Sequence, residues 1–187
     1  MGLIQQKMRA GANQRVAAAR VIQIAGAPED FPAALQALID RWNTEADTDF
    51  ETAQEKRGKV GRWLASSDPA VRRHFDMKVM ADSAIVAAYG VTVQRVLDGK
   101  YSKASFATTH GWVAAIMRPE PAGDGRSSVT VSLRNWAVND SGFIWNGSRY
   151  IQLLDGLVAL DGHYVSNPPD EQDFRFVRQE GLRTVKG

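Results

Sequence analysis

The stretch on which the fold turns is residues 82–100, DSAIVAAYGVTVQRVLDGK. From Asp82 to Tyr89 it is rich in Ala and apolar residues, which suits a buried helix. That helix either continues one that begins at Pro69 or starts anew. Gly90 supplies a tight turn, where a positive φ is cheap. Beyond the glycine two readings stand side by side. As a helix, the segment is capped by Thr92, with Val91 and Val96 turned back to the core. As a strand, VTVQRVL alternates through Val91 and Val93. The first makes the stretch a pair of helices, and the second makes it the joint between a helical half and a sheet.

Working outward toward the N-terminus, residues 3–24 read as a helix, broken by Gly26, Pro28 and Asp30. Phe31 to Asn43 reads as a second helix. Pro32 suits its first turn, and Leu35, Leu38, Ile39 and Trp42 form one apolar stripe. Asp49 to Leu64 reads as a third helix, and Ser67-Asp68-Pro69 starts a fourth that runs through Met80. Toward the C-terminus the pattern turns to strands. Ser105 to Met117 suits a buried strand, 119–128 (PEPAGDGRSS) a loop, and 128–138 a strand with Val129, Val131 and Leu133 on one face. Phe143 to Leu154 suits a hairpin on Asn146-Gly147, with turns at Asp155-Gly156 and Asp161-Gly162 and a last strand from Phe174 to Val177. The expectation is an α+β fold: a helical N-terminal half followed by a mainly antiparallel β-sheet. It forms a single domain over 1–187, helical to about residue 100 and strand-rich from about 101.

With 187 residues, 44% hydrophobic and 24% charged, the chain has ordinary globular composition and can bury a sizeable core. It contains no cysteine, which removes disulfides, thiolate catalysis and Cys-ligated zinc and points to a reducing, cytoplasmic setting. No membrane partner is expected, because no run approaches the ~18 apolar residues of a span. The net charge of +2 is unevenly spread. Residues 1–27 sum to +4, 28–53 to −6, 54–104 to +5 and 105–187 to −1. Such blocks mark either polyanion-binding or solvated faces.

Residues 82–100 resemble the helix-turn-helix of bacterial repressors and phage DNA-binding modules. Ile85, Tyr89, Val91 and Val96 occupy its apolar positions. The resemblance implies a regulator or inhibitor of mobile-element flavour with double-stranded DNA as its partner. Thr92, Gln94, Arg95, Lys100 and Lys103 would stand at the contact, supported by Arg72 and Arg73. The sequence departs from the motif at Val86, where a small residue is usual, at Gly99, where an apolar one is, and at Asp98, which would face phosphates.

A second resemblance is to the ParB/sulfiredoxin superfamily, in which a strand runs into a phosphate-binding segment that opens a helix. Residues 143–154, FIWNGSRYIQLL, are similar to it. It implies that Gly147, Ser148, Arg149 and Tyr150 bind ATP or another nucleotide, with hydrolysis or nuclease activity. Leu160-Asp161-Gly162-His163 lacks the Arg of the companion motif. The order of the two motifs along the chain is also the reverse of that in ParB proteins.

Walker A and Gly-x-Ser-x-Gly patterns are absent, no catalytic residue can be named, and no metal site is expected, although Asp161 and His163 could share a strand face. A third expectation needs no motif. The acidic stretch Glu29 to Glu51 suits a non-catalytic inhibitor or adaptor that binds a basic protein partner.

Overall fold

The structure is a computed structural model and describes residues 15, 18–55, 74–90, 92–98, 113–133 and 147–170. Along the chain these form β1 (Arg20–Ala25), α1 (Phe31–Glu55), β2 (Phe75–Val79), β3 (Ile85–Tyr89), α2 (Val93–Asp98), β4 (Val113–Gly123), β5 (Arg126–Leu133), α3 (Gly147–Val158) and β6 (His163–Ser166). The strands build one six-stranded sheet in the order β2-β3-β4-β5-β1-β6, with every neighbouring pair antiparallel. The fold is α+β, as expected.

The main core lies between one face of this sheet and helices α1 and α3. Ile22 and Ile24 of β1, Val129 and Val131 of β5, and Met117 of β4 are fully buried there. They pack with Phe31, Leu35 and Ile39 of α1 and with Tyr150, Leu153, Leu154 and Leu157 of α3. A second, smaller core sits on the opposite face, where Val93 and Val96 of α2 close over Val86, Ala88 and Ala114. Strand β3 lies between the two cores, and all five of its residues are buried.

Asn43 of α1 guards the β2 edge. Its side-chain amide donates to the Phe75 carbonyl at 2.9 Å, and its carbonyl accepts from the Phe75 N–H at 2.8 Å, so it stands in for a neighbouring strand. The mutually tilted rings of Trp42, Phe75 and Tyr89 continue this contact inward, with centroids 5.2 and 4.9 Å apart.

Several sequence expectations hold. Pro32 lies in the first turn of α1, the Leu35–Leu38–Ile39–Trp42 stripe is buried, Val129 and Val131 face the core with Leu133 packed against it, and Asp161-Gly162 turns into β6. Others are corrected. The helix expected over 3–24 gives way to strand β1 from Arg20, whose inward positions alternate. The second helix and the described start of the third, 49–55, are one helix, α1; residues 56–64 lie outside the described residues. The helix expected from Pro69 to Met80 contains strand β2, and the Ala-rich segment after it is strand β3. The loop expected over 119–128 is mostly the tip of the β4–β5 hairpin. Pro119 and Pro121 are tolerated there because β4 has run past its last pairing with β3, at Met117. The hairpin expected over 143–154 is replaced, from Gly147 on, by helix α3. The expected strand at 174–177 and residues 105–112 lie outside the described residues.

Candidate functional site

Residues 93–98 are helical, and the helix is capped from two directions. Thr92 Oγ1 accepts the Arg95 N–H at 3.4 Å, as its N-cap position requires. Asp76 Oδ2, from strand β2, accepts the Val93 N–H at 2.7 Å. The element before the turn, however, is strand β3 rather than a helix, so the helix-turn-helix expected over 82–100 is replaced by a strand, a turn at Gly90 (φ 81°) and a short helix. Thr92, at the N-cap, and Gln94 and Arg95, on α2, are all exposed. Gln94 is tied to Asp98 at 2.7 Å, which sets an acid beside the one base of this helix. Arg72, Arg73, Lys100 and Lys103 lie outside the described residues.

Gly147 opens α3, as the second resemblance expected of a helix start, but the residues after it are engaged in packing. Arg149 lies over the Tyr89 ring, 4.9 Å from its centroid, and donates to Gln152 Oε1 at 2.7 Å. Tyr150 is fully buried. Its hydroxyl accepts from Arg20, a buried guanidinium that also donates to the carbonyls of Ala18 and Arg15 at 2.7 and 3.0 Å. Burial raises the Tyr150 pKa, and the adjacent Arg20 charge opposes the rise. These hydrogen bonds link the start of β1 to the first turn of α3. Arg126 takes the Asp161 carboxylate and carbonyl, and the described residues contain no cluster of three or more metal-ligating acids and histidines.

What remains is the long helix α1. Its first half is anchored by the buried stripe, but none of the residues 43–52 is buried. From Glu29 to Glu55 the segment carries eight acids and one base, Arg41. Asp40, Glu45, Asp49, Glu51 and Glu55 are exposed, and half-exposed Asp47 meets His74 Nε2 at 2.9 Å. Positions four apart share a ridge of the helix, so Arg41, Glu45 and Asp49 run along one side of α1 while Asp47, Glu51 and Glu55 run along another. The acids are therefore neighbours of one another, and the ion pair that Arg41 makes with Glu45, at 3.9 Å, is highly exposed.

Beside the first ridge, α1 and α3 bound a groove of ≈ 400 Å³. Trp42, Ile151 and Gly156 form its apolar floor with Ala159 beside them, and Arg41, Gln152 and Asp155 supply the polar rim. The helices meet closely because Gly156 has no side chain. A Cβ there would fall 2.5 Å from Trp42 Cζ2. The acidic α1 ridge was legible in the sequence as the −6 block. The groove was not, since its α3 wall read as a strand and Gly156 as a turn. Protein-family models, curated proteins and solved structures give no match to this chain. Among the described residues no helix is long and apolar enough to cross a membrane.

Proposed function

We propose that this chain is a non-catalytic protein-binding module, of adaptor or inhibitor type, which takes a basic polypeptide partner on α1. The observation that carries this reading is the concentration of acids on the exposed surface of one helix. Residues 29–55 carry eight acids and one base, in a chain that has 21 acids and 23 bases in all. A surface of this kind attracts a cationic partner over a Debye length of about 10 Å at 0.1 M salt.

The test is binding of a dye-labelled Lys/Ser peptide by fluorescence anisotropy across a salt series. Salt-sensitive binding that weakens severalfold in Asp49→Lys/Glu51→Lys supports the reading, and no binding at low salt removes it. Double-stranded DNA is the second reading, favoured by the +5 block of residues 54–104, which holds Arg72, Arg73, Lys100 and Lys103. It requires duplex binding that Asp49→Lys/Glu51→Lys leaves intact or strengthens.

A further inference from the structure

We infer that the groove between α1 and α3 is an anchor pocket for one large aliphatic side chain of a basic peptide segment; the inference rests on the protein-binding reading above. At ≈ 400 Å³ the groove has room for such a side chain together with part of the backbone that carries it. The chemistry fits as well. The floor of Trp42, Ile151 and Gly156 is apolar and mostly shielded, with Trp42 and Ile151 each 8% exposed. An aliphatic group seated there would remove apolar surface from water without stranding a polar group.

The charges around the groove select what flanks that anchor. Asp155 stands exposed on the α3 rim, and the α1 wall continues past Arg41 into Glu45 and Asp49 on the same ridge. A segment with an aliphatic residue in the groove would thus meet carboxylates on both sides. Arg41, the cation on this rim among the described residues, already lies against Glu45. Arg149 holds the Gln152 carbonyl, so the N–H donors of that amide are the ones offered to a backbone carbonyl of the bound segment. The occupant is therefore a segment with Lys or Arg on either side of a Leu-like residue, a recognition mode in which an apolar anchor sets specificity and charge sets attraction.

The experiment compares two dye-labelled peptides on the full chain: a Lys/Ser peptide, and the same peptide with one central Ser replaced by Leu. The expected result is that the Leu peptide binds about tenfold tighter. Ala159→Phe, which fills the groove from an exposed position, should abolish that advantage and leave the Lys/Ser peptide unaffected. Asp155→Asn should weaken both peptides a few-fold and provides an independent arm if Ala159→Phe unfolds the protein. Equal affinities for the two peptides on the wild-type chain, with salt-sensitive binding of both, would overturn the anchor pocket and leave the protein-binding reading standing. Failure of both peptides to bind would overturn the two together.

Discussion

Gly156 shows how much one missing side chain decides. A Cβ at this position would press on Trp42 at Cζ2 and Cη2, 2.5 and 2.6 Å away, in a contact that also forms the floor of the groove. Alanine normally gains about 1 kcal/mol over glycine in a helix. Here overpacking of about 1–3 kcal/mol should outweigh it. Gly156→Ala is expected to lower stability in urea titration, and the same substitution in a Trp42→Leu background to raise it. Tyr164 gives a second expectation. Its hydroxyl is buried without a hydrogen-bond partner among the described residues. Burial, assisted by the negative charge of Asp155, pushes its pKa from 10.0 up to about 12. The folded state therefore keeps a proton that the unfolded chain releases near pH 10, and stability falls as pH rises from about 10 to about 12. Tyr164→Phe should flatten that slope in urea titrations at stepped pH and, by removing an unpaired hydroxyl, cost nothing or gain about 1 kcal/mol at neutral pH. At this scale the sequence is legible where the chemistry is local. Thr92 caps a helix through its own backbone neighbour, and the spacing reveals it. Tyr150 is illegible because its role depends on Arg20, 130 residues away.

At the scale of elements, the lesson is in β3. Its sequence, IVAAY, has no alternation because both faces are buried, Ile85, Ala87 and Tyr89 against the main core and Val86 and Ala88 against α2. A short apolar run of this kind cannot be told from a buried helix by period alone. Where only one face is buried, as in β5, the period of two is plain and was legible. Read as a helix, β3 makes the short helix after it resemble the second half of a DNA-binding pair. In place of a partner helix, α2 has a neighbouring strand, and Asp76 supplies the shorter of its two caps. Asp76→Ala should therefore cost about 1–2 kcal/mol, and Thr92→Ala about 0.5 kcal/mol. Urea titration of the two variants ranks them, and the reverse order would show that the strand contributes little to the helix. The second hairpin is fastened differently. Arg118 on β4 reaches Asp82 in the β2–β3 turn at 2.8 Å, and that hydrogen bond holds the Asp82 carboxyl below its usual range.

Across the whole molecule, the uneven charge has an energetic consequence that separates binding from folding. Glu45 and Asp49, Asp47 and Glu51, and Glu51 and Glu55 are like charges four residues apart on α1. Each such pair opposes the helix by about 0.2–0.5 kcal/mol, and salt weakens the effect. A helix selected for stability alone would carry lysines at some of these positions, as most exposed helices do. Asp49→Lys turns Glu45–Asp49 into an attractive pair with the acid on the N-terminal side, and Glu51→Lys does the same for Asp47 while removing the repulsion with Glu55. The double substitution should raise stability by about 1 kcal/mol at low salt, and by less as salt is added. The same two changes should weaken the basic peptide severalfold, because they replace two carboxylates on the proposed contact face with ammonium groups. Thermal melts by circular dichroism and anisotropy titrations on one preparation read both quantities. A variant that is more stable and binds less tightly identifies the acids as held for a partner at the expense of the fold. A variant that is more stable and binds equally well would mean that the acidic face is only a solvated surface, and the proposed function would fall.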